Sequence, residues 1–161
     1  MVIFKETQGF SGFISTAILS GALVFGMVIV ILQFSADMDP QTIRTLWIIW
    51  LVMALVDGAI LSIRMVTEIR PDGVVVYCRP LRFLRREISW DAIEHVYARQ
   101  YRPLAEYGGW GIRFGTQGTA YNMRGHQGIQ FEMKQGQRLL IGTQQPEAFI
   151  EAVRCVGGPV K

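Results

Sequence analysis

Charged residues are nearly absent from the first 63 positions of this 161-residue chain. Residues 7–63 contain only four, and none lies between Glu6 and Asp37. The uncharged run Gly9–Phe34 is longer than the roughly 20 residues that a helix needs to cross a hydrocarbon layer of about 30 Å. A second apolar run, Thr45–Ile63, is interrupted by a single acidic residue. The sequence therefore predicts a membrane protein with an N-terminal helical hairpin.

Cysteine and histidine are also scarce, which argues against several kinds of site. Cys78 and Cys155 lack the CxxC spacing of a zinc site, and we expect free thiols rather than a disulfide. His95 and His126 are isolated from each other and from any visible catalytic arrangement. The glycine-rich run Gly108–Gly115 lacks the GK[ST] motif and a following helix, so it is not a phosphate loop. No catalytic, cofactor-binding or metal-binding residue is predicted.

A cleaved signal peptide is the main alternative for the first apolar run. The apolar core of a signal peptide normally spans about 7–15 residues, which is roughly half the length of this run. The segment Phe34-Ser35-Ala36 is also a poor cleavage site, because it does not place small residues at both required positions. A retained helix is therefore the favoured interpretation.

We place the two helices at about Phe10–Phe34 and Thr45–Ile63, joined by the link Ser35–Arg44. This link is too short for a third crossing of the membrane, so the helices should be antiparallel neighbours. Residues in the link should stop the first helix and start a turn. These residues are Asp37, Asp39 and Pro40.

The distribution of basic residues predicts the orientation of the hairpin. The link offers only Arg44, whereas the opposite ends of the helices are flanked by Lys5, Arg64, Arg70 and Arg79. Because Lys and Arg are enriched on the cytoplasmic side, both termini and the polar domain should be cytoplasmic. This arrangement describes a multi-pass protein of the inner (plasma) membrane.

Small residues in both helices could allow close helix packing in lipid, either within the hairpin or against another protein. Trp47 and Trp50 are placed near the outer end of the second helix, where aromatic rings favour the membrane interface. The small residues four positions apart are Gly12/Thr16/Ser20, Ala17/Gly21, Ala22/Gly26 and Ala54/Gly58.

Asp57 is the ionisable side chain inside the predicted spans. It precedes Arg64 by seven residues, which is about 10 Å along a helix axis. A charge at that depth costs a few kcal/mol, so we weigh two roles. Asp57 could serve an ion or proton relay or contact a partner subunit, or its carboxyl could be satisfied by Thr16 or Ser20.

Short strands separated by turn signals follow from Val66 onward, a pattern typical of an all-β barrel or sandwich. Pro71-Asp72-Gly73 is a strong turn, Trp90–Ile93 a helical turn and Arg102–Gly109 a loop. The predicted strands are Val66–Arg70, Val74–Arg79, Leu84–Ser89, Glu94–Tyr101, Trp110–Phe114, Ala120–Arg124, Ile129–Lys134 and Leu139–Thr143.

The last element is predicted as a helix that caps the strands. Pro146 suits the first helical position and Glu147 the positive helix start, while Gly157-Gly158-Pro159 should end the helix. Its apolar face consists of Phe149, Ile150 and Val153. We therefore predict an α+β protein with a membrane hairpin in residues 1–65 and a polar domain in residues 66–161.

Four segments of the polar domain resemble a family of bacterial membrane proteins with a pleckstrin-homology-like (PH-like) domain. They are Ile88–Ile93 (ISWDAI), Tyr101–Arg113 (YRPLAEYGGWGIR), Ala120–Gly125 (AYNMRG) and Leu140–Glu147 (LIGTQQPE). The resemblance covers most of residues 67–156. It implies an N-terminal two-helix hairpin followed by an antiparallel PH-like barrel or sandwich with a C-terminal capping helix, and it carries over no catalytic residue.

Two groups of residues are candidate contact sites. Arg79, Arg82, Arg85 and Arg86 surround one predicted hairpin. Facing a bilayer, each could contribute about 1 kcal/mol of attraction to anionic headgroups. The alternative is a solvated hairpin tip in which Arg86 pairs with Glu87.

The second group lies in the loop after the fourth predicted strand and consists of Tyr101, Arg102, Glu106, Tyr107 and Trp110. Long loops often carry function, and Tyr, Trp and Arg are favoured at interface hot spots. We therefore expect this loop to bind a partner; the alternative is a loop folded over the mouth of the barrel.

These features favour a non-enzymatic, membrane-anchored interaction module, an accessory or scaffold subunit of a larger membrane complex. The alternative is a domain that senses anionic lipids through its arginine hairpin. Residues 66–161 carry 13 Lys/Arg and 9 Asp/Glu, a mild excess that does not indicate nucleic-acid binding. An enzyme would need a pocket with convergent polar groups, which only a structure can show. The expected partners are membrane lipids and other membrane protein subunits.

Overall fold

The computed structural model of the protein describes residues 1–10, 12–35, 38–80, 84–115 and 117–161. The chain forms two compact units. The polar unit contains residues 1–9 and 64–161, and the helical unit contains residues 10–63. Ala36, Asp37 and Arg82, which entered the sequence-based interpretation, lie outside the described residues.

The helical unit consists of two long apolar helices, as predicted. Helix α1 spans Gly12–Ser35 and helix α2 spans Pro40–Ser62. Within the described residues, both are long and apolar enough to cross a membrane, with mean hydropathies of 2.4 and 2.0.

Helix α2 begins earlier than predicted, because the residues expected to form a turn instead start the helix. The Asp39 side chain caps it by accepting hydrogen bonds from the backbone N–H groups of Gln41 (2.9 Å) and Thr42 (3.0 Å). Pro40 takes the first helical position, where its missing N–H costs no hydrogen bond. Arg44, assigned to the link from sequence, therefore lies within the first turns of α2.

Trp50 of α2 forms a polar contact with α1. The Trp50 indole N–H donates a hydrogen bond to the Ala22 carbonyl oxygen at 2.9 Å. A Cβ atom at Gly26 would lie 2.9 Å from the same indole nitrogen, so only glycine leaves room for the ring. The predicted small pair Ala22/Gly26 thus receives Trp50, while Trp47 packs edge-on against Trp50 at a centroid distance of 5.7 Å.

The first sheet of the polar unit begins before the helical unit. Strand β1, Phe4–Gln8, pairs antiparallel with β2, Arg64–Arg70, and brings Gln8 opposite Met65. The helical hairpin is therefore an insertion between two paired strands. The sequence-based boundary at residue 65 differs because five residues next to a long apolar run give little strand signal of their own.

The described strands of the first sheet have the order β1-β2-β3-β4, and all neighbours are antiparallel. Strand β3 spans Gly73–Arg79 and β4 spans Arg86–Ser89. The turn predicted at Pro71-Asp72-Gly73 joins β2 to β3, and a short 3-10 helix, Trp90–Ala92, leads from β4 to the second sheet.

The second sheet has the strand order β5-β8-β9-β7-β6 among the described residues. Its strands are β5 (Ile93–Gln100), β6 (Gly111–Gly115), β7 (Gly118–Asn122), β8 (Gln127–Met133) and β9 (Arg138–Gly142). The short helix α3, Pro103–Tyr107, occupies the segment predicted as a loop.

Two features refine the predicted antiparallel barrel or sandwich. The described strands form separate sheets of four and five strands rather than one closed barrel. Strands β7 and β9 are parallel, with Thr119 opposite Leu139. Turn signals report hairpins between successive strands, but β9 separates β7 from its successor β8. Gly118 at the start of β7 permits the close approach to Arg138 at the start of β9, because a Cβ at Gly118 would lie 2.1 Å from the Arg138 carbonyl oxygen.

The C-terminal helix α4, Pro146–Cys155, packs on both sheets and confirms the predicted capping helix. Phe149 is fully buried. Its ring centroid lies 5.3 Å from that of Phe4 in β1 and 6.2 Å from that of Phe131 in β8. The short apolar face of α4 thus joins the N-terminal strand to the second sheet.

Strand β1 makes a second, polar connection to the end of β9. The buried Glu6 carboxylate accepts hydrogen bonds from the Thr143 hydroxyl at 2.5 Å and the Gln144 backbone N–H at 2.8 Å. The Gln8 side-chain amide donates to the Gly142 carbonyl oxygen at 2.8 Å. A buried carboxylate is stable only with such partners, so β1 is an integral strand of the polar unit.

We predict that the polar unit folds without the hairpin if residues 10–63 are deleted. The deletion joins Gly9 to Arg64 as a two-residue turn between the paired residues Gln8 and Met65. Glycine at the first turn position suits a type II′ β-hairpin. A soluble protein with a cooperative thermal transition and dispersed amide NMR signals is expected.

The matched control is the fragment 64–161, which lacks β1. It should unfold at a lower temperature or aggregate, because it leaves Thr143 without its carboxylate acceptor and exposes the edge of β2. Equal stability of the two proteins would contradict an integral role for β1.

Candidate functional site

The predicted arginine hairpin is divided between two cavities. Arg79 and Arg85 line a cavity of 420 Å³. Arg86 lines a separate cavity of 470 Å³ together with Arg138, and Arg82 lies outside the described residues. The first cavity is also lined by Lys5, Glu68, Arg70 and Tyr77. Sequence analysis did not assign Lys5 and Arg70 to this site because they come from different strands, β1 and β2.

Glu68 organises the base of this cationic cavity. Its buried carboxylate contacts the Lys5 ammonium at 3.2 Å and accepts hydrogen bonds from Arg70 at 2.6 Å and from the Tyr77 hydroxyl at 3.1 Å. Burial opposes its ionisation, but the hydrogen bonds from Arg70 and its neighbours outweigh burial and lower the pKa of Glu68. Glu68 thus stays charged while it holds two of the cations.

Arg85 forms an ion pair with Glu87, where sequence analysis considered a pair between Arg86 and Glu87. Residues two apart on an extended segment share a face, whereas adjacent residues point to opposite faces. Arg79 lines the same cavity, and its exposed guanidinium has no hydrogen bond or ion pair among the described residues. The cavity therefore keeps a net positive charge.

The aromatic loop after β5 is mostly folded onto the second sheet. Tyr101 and Tyr107 are buried at 3% and 5% exposure, with their ring centroids 6.1 Å apart in an edge-to-face arrangement. The exposed residues of the segment are Arg102, Leu104, Ala105 and Gly108, while Trp110 is half-buried and donates to the Gly125 carbonyl oxygen at 3.4 Å. The geometry corresponds more closely to the alternative interpretation, a folded loop.

Arg99 of β5 holds this loop in place through three side chains. Its guanidinium donates to Glu106 at 2.8 Å, to the Tyr107 hydroxyl at 3.2 Å and to Gln130 at 2.9 Å. Glu106 also accepts the Arg102 backbone N–H at 2.7 Å, which closes the first turn of α3. The network fixes the C-terminal half of β5 against α3.

Burial and hydrogen bonding have opposite effects on the pKa values of the charged residues in this network. Burial raises the pKa of Tyr101 to about 12 and also raises that of Tyr107, so both phenols are neutral. Burial opposes the charges of Glu106 and Arg99 as well. The hydrogen bonds from the Arg102 backbone and Arg99 still lower the pKa of Glu106, and the bond to Glu106 raises the pKa of Arg99.

The polar residues of the helical unit do not meet as sequence analysis considered. The Thr16 hydroxyl donates to the Gly12 carbonyl oxygen at 2.7 Å, and the Ser20 hydroxyl donates to the Ala17 carbonyl oxygen at 3.0 Å. Both hydroxyls thus bond to their own helix backbone. Asp57 is half-buried, and its carboxylate has no hydrogen-bond partner among the described residues. The roles considered for its carboxylate stay predictions.

A larger cavity of 770 Å³ lies between β5 and α4. It is lined by Ala98, Arg99, Gln100, Gln127, Pro146, Glu147, Ile150, Glu151 and Arg154. Its volume is in the range of sites that hold small molecules or peptide side chains. Sequence analysis missed it because a cavity beside a strand edge leaves no motif; a sequence signal was the exposed acidic pair Glu147/Glu151 on the predicted helix.

Comparison with protein-family models, with curated proteins and with solved structures gives no match for this chain. The resemblance to PH-like membrane proteins thus rests on the sequence segments named above and on the general arrangement of two apolar helices, a β-rich unit and a C-terminal helix. In the described part of the chain, no cluster of His, Cys, Asp and Glu side chains could hold a metal ion.

We predict that Glu106→Gln lowers the free energy of unfolding at pH 7 by about 1–2 kcal/mol, the usual scale for a hydrogen bond to a charged group. Because the pKa of Glu106 in the folded protein is below its ordinary value of 4.5, the contribution is complete above that value. It is lost as the pH falls through 4.5 toward the folded pKa. Denaturant unfolding of the detergent-solubilised protein from pH 7 to pH 3 measures this.

Glu94→Gln is the control, since Glu94 is exposed on β5, the strand that carries Arg99. It should leave the stability nearly unchanged at every pH. A difference between wild type and Glu106→Gln that stays constant down to pH 3 would contradict the proposed ionic contribution of Glu106.

Proposed function

We propose that this chain is a membrane-anchored, non-enzymatic interaction module that acts as an accessory or scaffold subunit of a larger membrane complex. The anchor is the pair of helices α1 and α2. Residues 1–9 and 64–161 belong to one folded unit, which supports placing both flanks of the hairpin on the same side of the membrane. The distribution of Lys5, Arg64, Arg70 and Arg79 against Arg44 favours the cytoplasmic side of the inner membrane.

We further propose that the polar unit is a PH-like domain. Two β-sheets joined by a C-terminal helix support this assignment, as do the four sequence segments that carry the resemblance. The N-terminal strand β1 and the parallel pair β7/β9 are variations on the expected arrangement. Because the PH-like fold hosts many functions, the proposed role depends on surfaces rather than on the fold.

The observation that carries the accessory-subunit proposal is the set of small residues that the hairpin itself does not use. Gly26 is occupied by Trp50. A Cβ at Gly21 or Gly58 would instead meet open space within 4 Å. In lipid, small residues let helix backbones approach closely, and apolar surface alone provides no drive for association. These positions therefore suit packing against another membrane subunit.

We predict that Gly21→Leu combined with Gly58→Leu releases the chain from its complex. The added side chains fit the isolated hairpin, since both positions face open space, but would hold a partner helix away. Gentle detergent extraction from native membranes, size analysis and identification of co-purifying proteins measure the effect. Wild type should elute in a large assembly of fixed composition, and the double variant as a smaller species.

Two controls separate assembly from folding. Val24→Leu changes an exposed apolar residue of α1 and should leave the assembly intact. Gly26→Leu should instead disturb the hairpin, because its side chain would collide with Trp50. Elution of wild type alone or as a small homo-oligomer would refute the accessory-subunit role.

The cationic cavity favours a second candidate function, binding of anionic lipid headgroups. Arg79 and Arg85 provide charge at its rim, and Lys5 and Arg70 are held by Glu68. A phosphate group could accept hydrogen bonds from several of these cations.

We predict that the detergent-solubilised protein binds short-chain phosphatidylglycerol more tightly than short-chain phosphatidylcholine. This preference for the anionic lipid should decrease at high salt. Arg79→Ala with Arg85→Ala should remove most of this preference, since each basic residue contributes about 1 kcal/mol. Arg124→Ala, which removes an exposed arginine outside the cavity, is the matched control. An unchanged lipid preference in the double variant would exclude this cavity as the site.

A further inference from the structure

Strand β5 lies at one edge of the second sheet, and the C-terminal tail covers part of that edge. The Val96 backbone N–H donates to the Pro159 carbonyl oxygen at 2.8 Å, and the Lys161 N–H donates to the Val96 carbonyl oxygen at 2.9 Å. Val160 is therefore paired with Val96 as a short parallel bridge. The chain itself thus shows that this edge accepts an added strand.

Beyond Val96, the same edge has no strand partner among the described residues. In an antiparallel pair, alternate residues direct both backbone groups toward the neighbouring strand, and those between direct them away. Because Val96 bonds to the tail and not to β8, Ala98 and Gln100 also direct their backbone groups away from β8. The Ala98 N–H and carbonyl groups have no hydrogen-bond partner among the described residues.

These free backbone groups lie beside the 770 Å³ cavity, whose opposite wall is helix α4. Pro146 and Ile150 supply apolar surface on that wall. Ala98 supplies a small exposed side chain on the strand. An extended segment lying along β5 could bond to the strand edge and direct every second side chain into the cavity.

The charges around the cavity favour a basic ligand. Glu147 and Glu151 are exposed on α4, one turn apart, and Arg154 lies one turn further on. The charge of Arg99 is already balanced by Glu106 at 2.8 Å. Two carboxylates therefore face the cavity against one uncompensated cation, and they would attract a Lys or Arg side chain of the ligand.

We propose that the edge of β5 at Ala98–Gln100 and the facing side of α4 bind an extended peptide of a partner protein, with a basic residue next to an apolar residue. The peptide adds to the strand edge beside the existing Val160 bridge. This inference rests on the proposed interaction-module function and assigns it a binding site outside the helices.

The test measures binding of the detergent-solubilised full-length protein to an immobilised array of ten-residue peptides of randomised sequence. Wild type should select peptides in which Lys or Arg is next to Ile, Leu or Val. Ala98→Pro should weaken binding about tenfold, since it removes an N–H that the peptide uses. It removes no ladder hydrogen bond, because the Ala98 N–H faces away from β8.

A charge-reversal pair tests the electrostatic part. Glu147→Lys with Glu151→Lys should shift the selection toward acidic peptides, whereas Glu94→Lys, on the same unit but outside the cavity, should not. If Ala98→Pro fails to fold, peptides N-methylated at alternate positions replace it. Binding should then fall for one alternating set of amides and not for the other.

Three results would overturn the proposal. They are no selection above background, equal binding by wild type and the groove variants, and a concentration-dependent dimer that Ala98→Pro abolishes, which would assign the edge to a second copy of this chain. The outcome is independent of the assembly measurement. Peptide selection by a chain that elutes alone from native membranes would refute the accessory-subunit role and leave the groove assignment standing.

Discussion

The pairing of β1 with β2 is the constraint on which the rest of the structure depends. Five residues at the N-terminus complete a sheet whose other strands lie after the helical hairpin. Glu6 connects this strand to the end of β9 through Thr143 and Gln144, and Phe4 packs on Phe149 of α4. Since a buried carboxylate without these partners would be costly, the N-terminal segment cannot separate from the polar unit. The hairpin is thus held at both ends by covalent links to one sheet.

Local signals in the sequence were sufficient for the elements that depend on length and periodicity. The two apolar runs and α4 were predicted with small boundary errors, because long apolar segments and an amphipathic face are visible without tertiary context. Helix α3 was missed although its signals are present: Pro103 begins it, and Gly108 ends it with a φ of 70°. Strand β1 and the parallel pair β7/β9 were missed for another reason, since long-range pairing leaves no trace in turn residues.

Long-range strand pairing also limited the prediction of the candidate sites. Arg79, Arg85 and Arg86 are close in sequence, but strand geometry divides them between two cavities and brings Lys5 and Arg70 to the first. The aromatic loop shows a different ambiguity. Tyr101 and Tyr107 carry the composition expected of an interface hot spot, yet that composition also suits a core, and burial distinguishes the two. Residue type alone therefore could not distinguish an interface role from a core role for Tyr101 and Tyr107, and the fold shows that both side chains are buried.

Arg99 connects the buried tyrosines to the edge of β5 at Ala98. Arg99 lines the large cavity and at the same time bonds to Glu106, Tyr107 and Gln130 on the other side of the strand. Its charge is therefore neutralised and its side chain is fixed, which leaves the field in the cavity to the residues of α4. A strand edge that is held rigid loses little conformational entropy when a peptide binds. The loop that sequence analysis expected to bind a partner also stabilises the strand edge that we propose as the binding site, and its own partner contact stays a prediction.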